Sequence, residues 1–296
     1  MDGLFFQKVP LQDRRSESGY SFSSTEEKNL LGRRTWNLYV GGVMCGLAGL
    51  MLLPYRRTKD ELVQIRHYFT LNLLYNMERG KEATGICIIQ KDGNFKIFKL
   101  PLPADKFINL KEYRELISTV SNQTIFVLGH TRKPTKGNPL IISNNHPILA
   151  GNVIGIHNGK ITNDEKITLS EQLERNAVVD SEVIFRLLDK IGPLRGTQND
   201  ILNIKKIISK IKGSFTTLSV DLRKPDILLV LKKNMPLSVH FESPLHTVFF
   251  SSRYIFLRKT FGRYVVTEAL SSETGFFFSP SKFKEESPYA YKIFKF

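Results

Sequence analysis

The order of apolar and polar residues along this chain predicts strands and helices that alternate in the first half. The run CGLAGLML, residues 45–52, is apolar throughout and is closed by Pro54. A short apolar run ended by a turn residue is typical of a buried central strand. We therefore expect an interior strand that starts at Cys45.

The segment 58–80 has the pattern of an amphipathic helix. Thr58 is followed three residues later by Glu61, which is a capping-box pattern. Gly80 suits the C-terminal cap. The apolar positions that recur on one face are Leu62, Ile65, Phe69 and Met77. Such spacing predicts a helix with one buried stripe.

The remaining pattern predicts hairpins, helices and a strand-rich second half. An Asp-Gly turn between apolar runs predicts a β-hairpin over 84–100. Further helices are predicted at 105–120, 180–191 and 199–212, and further strands at 124–130, 146–159 and in SFTTLSVDL, DILLVLKK, LSVHFE, HTVFFSS, YIFLR and YVVTE. Two antiparallel sheets faced by helices fit this order better than a doubly wound parallel sheet.

The chain divides into three predicted parts. Residues 1–44 are interpreted as a disordered leader, a propeptide or a mis-assigned extension, because 1–35 are polar and lack periodicity. Residues 45–280 are the predicted domain, and 281–296 a C-terminal tail. The apolar stretch 36–54 has nearly the length of a membrane span, but its four glycines and its acidic upstream residues disfavour a span or an export signal.

Composition narrows the class of protein. Of 296 residues, 41% are hydrophobic and 24% charged, which is enough for a globular core. Two cysteines cannot build a disulfide framework, so a reducing, cytoplasmic compartment is expected. The net charge of +15 leaves polyanion binding as an alternative, but the charges are scattered and no nucleic-acid motif accompanies them, which disfavours nucleic acid.

Polar residues that are unusual at strand ends form an ordered set of motifs. They are Met-Cys-Gly at 44–46, RGKEATG at 79–85, GHTRKPTKG at 129–137, NNHP at 144–147, HNGKITN at 157–163 and DSEVI at 180–184. Together they resemble the class II (N-terminal-nucleophile) glutamine amidotransferase domain, above all the glutaminase domain of glucosamine-6-phosphate synthase. The resemblance covers roughly residues 45–260. It implies an α+β fold, a four-layer α/β/β/α sandwich of two antiparallel sheets.

The resemblance implies that the domain hydrolyses L-glutamine to glutamate and ammonia through Cys45. A nucleophilic cysteine needs a base, and the α-amino group of an N-terminal cysteine, with an ordinary pKa near 8, can serve. Cys45 would then have to be the first residue, either because translation starts at Met44 or because residues 1–44 are cut off. The implied donors to the oxyanion are the Asn158 side chain and the Gly159 backbone N–H.

The amino-acid end of glutamine is assigned in the same way. Arg132 offers a planar fork suited to the carboxylate, Thr135 matches a supporting hydroxyl, and Asp180 matches the group that receives the ammonium. Lys133-Pro134 and Lys136 depart from the aromatic residue and the histidine frequent in the family, which leaves the closure of this loop open. Arg79 and Gly80 are interpreted as framework residues.

Each residue also has a structural alternative. Cys45 and Cys87 could be small buried hydrophobes, and His157 a hydrogen-bonded structural histidine. Arg132 could form a surface ion pair, and Asp180 could cap the helix at 181–191.

No cofactor or metal is implied, and no membrane partner. Ammonia would pass to an acceptor on another chain. The alternatives are a stand-alone amidohydrolase acting on a glutamine-like γ-glutamyl amide and a non-catalytic glutamine-binding protein.

Overall fold

The computed structural model describes residues 44–296, so the predicted leader lies outside the described residues except for Met44. In chain order the strands are β1 (Gly46–Leu52), β2 (Ala83–Gln90), β3 (Phe95–Leu100), β4 (Thr124–Arg132), β5 (Ile148–Ala150), β6 (Val153–Ile161), β7 (Gly213–Asp221), β8 (Leu228–Lys233), β9 (Ser238–Glu242), β10 (Thr247–Ser251), β11 (Glu268–Ala269), β12 (Thr274–Phe278) and β13 (Lys292–Lys295). The helices are α1 (Lys59–Asn76), α2 (Ala104–Phe107), α3 (Lys111–Ser118), α4 (Asp164–Ser170), α5 (Ser181–Ile191), α6 (Gln198–Lys210) and α7 (Tyr254–Phe261).

The strands form two sheets whose pairings are antiparallel. One sheet has the order β11-β9-β10-β1-β4-β2-β3, and the other β13-β12-β8-β7-β6-β5. In the first, β1 lies between β10 and β4, with Gly46 opposite Thr131. β1 is therefore a central strand, as its apolar pattern predicts.

Three apolar clusters separate the layers. The inner faces of both sheets meet in one cluster that includes Met51, Phe126, Leu218 and Phe276. The outer face of the first sheet packs on α1, α3 and α7, and that of the second on α5 and α6. Strands such as β1 are covered by other layers on both faces. Their residues are therefore apolar throughout instead of alternating between apolar and polar. The predicted four-layer α/β/β/α arrangement is confirmed.

The helix α1 begins as predicted and ends differently. The Thr58 hydroxyl accepts from the Glu61 N–H, and the Glu61 carboxylate accepts from the Thr58 N–H, which completes the capping box. The helix ends at Asn76, and Gly80 has an extended φ of −165° instead of capping it. A Cβ at Gly80 would lie 2.3 Å from the carbonyl carbon of Arg132, so close packing against the end of β4 requires this glycine.

Several predicted elements differ from the structure. The predicted helix at 105–120 is two short helices, α2 and α3. YIFLR belongs to helix α7, whose residues Leu257 and Phe261 pack in the same apolar cluster as α1. The predicted domain ends at residue 280, whereas β13 lies beyond that residue and extends the sheet by pairing with β12. None of the helices within residues 44–296 is long and apolar enough to cross a membrane.

Candidate functional site

Cys45 lies at the start of β1, beside the end of β4. Its Sγ lies 3.3 Å from both backbone groups of Lys133, donating to the carbonyl oxygen and accepting from the N–H. The Arg79 Nε donates to the Cys45 carbonyl oxygen over 2.8 Å. Arg79, a framework residue in the sequence analysis, thus contacts the backbone of the predicted nucleophile directly.

The thiol of Cys45 is held in its protonated form. Burial raises its pKa to about 11, although the hydrogen bond from Lys133 and the charge of Arg132 act in the opposite direction. The negative charge of Asp180 raises the pKa further. A thiol with this pKa is a weak nucleophile near neutral pH, so a proton acceptor has to assist it.

Asn158 and Gly159 lie near the end of β6. Asn158 is fully buried, yet neither its side-chain oxygen nor its side-chain nitrogen has a hydrogen-bond partner among the described residues. Gly159 has a φ of +140°, and a Cβ there would lie 2.0 Å from the Ser214 carbonyl oxygen. Only glycine fits this backbone, whereas the side-chain amide of Asn158 makes no hydrogen bond to the described residues.

A cluster of three buried histidines includes His157, the residue before Asn158. The His130 ring Nε2 bonds to the His157 carbonyl oxygen over 2.9 Å, and the rings of His130 and His146 are 4.2 Å apart between centroids. Burial lowers the pKa of His130 to about 3 and lowers the pKa values of His146 and His157 as well. The imidazoles are therefore neutral in the folded protein.

Arg132 ends β4 and is engaged by the loop that follows. Its Nη2 donates to the carbonyl oxygens of Lys136 and Gly137 over 2.6 and 2.9 Å, and its Nη1 donates to the Asn145 Oδ1 over 2.8 Å. Arg132 is only 3% exposed and has no ion-pair partner among the described residues, unlike the surface ion pair considered above. Asn145 was missed in the sequence, because it occupies the variable position of NNHP.

Asp180 precedes α5 without capping it. Its side chain makes no cap hydrogen bond; instead its Oδ2 accepts from the Ile161 N–H over 2.7 Å, which ties it to the end of β6. Asp180 and Thr135 line one cavity of about 580 Å³. The structure therefore brings two of the predicted substrate-binding residues to the same cavity, next to the strand that carries Asn158 and Gly159.

Comparisons with known proteins were made for sequence and for structure. No family model matches the chain. The chain is 27% identical over 215 residues to a 7-cyano-7-deazaguanine synthase of Saccharolobus solfataricus, covering 71% of this chain and 43% of that protein. It is 26% identical over 200 residues to the glutamine–fructose-6-phosphate aminotransferase of Aliivibrio fischeri, covering 66% and 30%. The chain thus spans less than half the length of these relatives.

Two solved structures show the same fold. The allosteric regulatory enzyme of purine biosynthesis matches with a TM-score of 0.59 at 18% identity, covering 79% of this chain and 47% of that one. The glutamine phosphoribosylpyrophosphate amidotransferase from B. subtilis matches with a TM-score of 0.57 at 16% identity, with the same coverage. The relatives confirm the resemblance that the motif order predicts, and the solved structures confirm the two-sheet sandwich.

Proposed function

Because the chain resembles class II glutamine amidotransferases in sequence and has the fold of two amidotransferase-related structures, we propose that it hydrolyses L-glutamine to glutamate and ammonia. The proposed site has two ends. The amide end consists of Cys45, Asn158 and Gly159. The amino-acid end consists of Arg132, Thr135 and Asp180.

One observation carries this proposal. The Asn158 amide is fully buried and unpaired among the described residues. Leaving a buried polar group without a partner costs roughly 1–3 kcal/mol. A donor in this state is free to stabilise negative charge that appears only during the reaction, which is what an oxyanion donor does. The adjacent Gly159 N–H is proposed as the second donor.

The chemistry begins at Cys45. Its thiol attacks the side-chain carbonyl carbon of glutamine, and the α-amino group of Cys45 takes the thiol proton. The amino group passes that proton to the departing nitrogen as the C–N bond breaks, so ammonia leaves and a thioester remains. Water then cleaves the thioester to glutamate and restores the thiol. The raised pKa of Cys45 supports this assignment, since a protonated thiol needs a base at hand.

The amino-acid end has to exchange partners when glutamine binds. A guanidinium can bind a carboxylate through two N–H groups in two arrangements, and each arrangement uses Nη2. In Arg132, the two N–H groups of Nη2 already donate to the Lys136 and Gly137 carbonyls. The substrate carboxylate therefore displaces one loop carbonyl, with Thr135 beside it. The Asp180 Oδ2 is engaged by Ile161, so Oδ1 receives the substrate ammonium.

The acceptor of the ammonia is proposed to lie on another chain. The segment that aligns here occupies 43% of one relative and 30% of another, and their names state different overall activities. A segment shared by proteins whose names state different products fits a reaction step other than the formation of either product, and we propose that this step is glutamine hydrolysis.

The test combines mass spectrometry with an activity assay on protein purified from its own host. We expect active protein to begin at Cys45, and Cys45→Ala to lower glutamate release on the order of 10⁴-fold or more without lowering the melting temperature. Activity that survives Cys45→Ala overturns the nucleophile, and active protein that retains residues 1–44 overturns the amine as base. Full activity without any co-purifying chain favours a stand-alone amidohydrolase.

A further inference from the structure

A second cavity, of about 310 Å³, has one wall in each sheet. Lys232 of β8 lines it from one sheet, and Ser238 of β9 lines it from the other. The segment between β10 and α7 contributes Ser252 and Arg253. Lys232 and Arg253 are positively charged, and none of the residues that line the cavity is acidic. The wall of this cavity is therefore cationic.

The Lys232 side chain lies on the inner face of its sheet. Leu228 and Val230 of the same strand belong to the apolar cluster between the sheets, and side chains alternate along a strand, so Lys232 shares their face. Lys232 is only 8% exposed, yet it forms no ion pair within residues 44–296. Burial lowers its pKa, the positive charge of Lys295 lowers it further, and no acceptor acts in the opposite direction. A buried ammonium in this state is costly unless an anion accompanies it.

The start of α7 adds backbone donors at the same cavity. Arg253 is the N-cap residue, and its side chain makes no cap hydrogen bond. The N–H groups of Tyr254 and Ile255 in the first turn have no partner in the part of the chain that the structure describes. Unpaired N–H groups at a helix N-terminus carry partial positive charge and bind anions.

Two buried hydroxyl groups complete the wall. The Ser252 Oγ accepts from the Leu47 N–H over 2.7 Å, so its own O–H remains available to donate. Ser238, which is 5% exposed, brings the second hydroxyl. The cavity thus offers ammonium, guanidinium, hydroxyl and backbone N–H donors from both sheets and from α7. A tetrahedral anion with several acceptor oxygens can use donors on several sides, whereas a planar carboxylate has only two oxygens.

We propose that this cavity is a binding site for a phosphate group, held by the Lys232 ammonium and the N-terminus of α7. The site is separate from the proposed glutamine site. Lys232 lies opposite Thr216, which lies opposite Asn158 on the next strand, so Lys232 and Asn158 are two interstrand spacings apart, roughly 10 Å. The inference does not depend on glutamine hydrolysis, because binding alone tests it.

The test is isothermal titration calorimetry of the full chain with inorganic phosphate, with sodium chloride holding the ionic strength constant. We expect the parent protein to bind one phosphate saturably and Lys232→Met to weaken this binding roughly tenfold or more. Lys233→Met is the matched control, because it removes the same charge from the next residue of β8, on the opposite face of the sheet. It should leave the affinity for phosphate unchanged.

A second titration, with phenyl phosphate, identifies the source of the phosphate group. Tighter binding than inorganic phosphate indicates a phosphate ester of a small organic molecule. Equal or weaker binding indicates free phosphate.

The folding of the variants is checked by thermal unfolding without phosphate. Lys232→Met should keep or raise the melting temperature, because it replaces an unpaired buried ammonium by an apolar side chain of similar length. If it does not fold, Arg253→Gln, at an exposed position, should also weaken phosphate binding and decides the matter. Unchanged affinity in the folded variant overturns the proposal. So does a parent protein without saturable phosphate binding, or an equal loss of affinity in Lys232→Met and Lys233→Met.

Discussion

The buried amide of Asn158 and the buried guanidinium of Arg132 lie at opposite ends of the proposed site and differ in what surrounds them. The Asn158 side chain has no hydrogen-bond partner among residues 44–296. Arg132 makes three hydrogen bonds, all to the chain itself. One end therefore keeps unused polar groups at a cost to stability, whereas the other satisfies its polar groups internally until a ligand replaces them.

This difference suggests how each end contributes to a reaction. Groups that are already in place and unpaired need no rearrangement when charge develops, so they act on the rate of the chemical step. Groups that must release a partner to accept a ligand lose part of their binding energy to that exchange, so they act mainly on affinity. The two ends can be separated experimentally by asking which variants change kcat and which change KM.

The largest effect is expected from Asn158→Leu, which replaces an unpaired amide by an apolar side chain of similar shape. We expect kcat to fall by ~10²–10³, as for other oxyanion donors. We also expect the free energy of unfolding to stay level or rise, because no hydrogen bond is lost. Steady-state kinetics and chemical denaturation measure the two quantities.

Asn144→Leu is the matched control for that change. Asn144 is 1% exposed, but its Nδ2 donates to the Asn138 carbonyl and its Oδ1 accepts from the Val178 N–H. We expect this variant to lose roughly 1–3 kcal/mol of stability, because both partners are left unpaired. A similar loss of stability in Asn158→Leu, with little loss of kcat, would show that the Asn158 amide is structural.

A smaller effect is expected from Arg132→Lys, which keeps the charge but removes the guanidinium fork. The carbonyls of Lys136 and Gly137 lose their donor, and the substrate carboxylate loses its partner. We expect KM for glutamine to rise roughly 10- to 100-fold, which corresponds to about 1.4–2.8 kcal/mol. Asn145→Ala removes the partner of the Arg132 Nη1 alone and should raise KM less. A fall in kcat with unchanged KM in Arg132→Lys would contradict the assignment of Arg132 to substrate binding.

The proposed site residues were assigned from the order of their motifs, whereas their partners were not predicted. Cys45, Asn158 and Asp180 were chosen because the ordered set of motifs resembles a known family, since none of the motifs is specific by itself. The helix α1 was predictable from local sequence, since its capping box is complete within Thr58–Glu61. Such signals are local and need no knowledge of the fold.

The remaining features depend on contacts between distant segments. The sequence does not indicate that Lys136 faces Asp164, or that Asn145 holds Arg132, because those pairs form only after β4 and β6 take their places. The segment YIFLR, residues 254–258, was assigned to a strand from its apolar run, but it belongs to a helix that packs on α1. Short apolar runs do not distinguish the two by periodicity.

A further effect concerns the stability of the amide end in acid. Burial lowers the pKa of His130 to about 3 and holds the pKa of His146 well below its ordinary value. In the unfolded chain these histidines bind protons below about pH 6.5, whereas in the folded chain they do not. The contribution of these histidines to the free energy of unfolding is therefore fully present above that pH. It decreases as the pH falls toward the pKa values of the folded protein. Each such histidine contributes about 1.4 kcal/mol per pH unit within this window.

His146→Phe tests this contribution, because neither ring nitrogen of His146 has a partner among the described residues. We expect the free energy of unfolding between pH 6 and pH 4 to fall less steeply, by about 1.4 kcal/mol per pH unit, with no loss at pH 8. His67→Gln, at an exposed position of α1, should leave the slope unchanged. An unchanged slope in His146→Phe would mean that the histidine cluster is not kept neutral by burial.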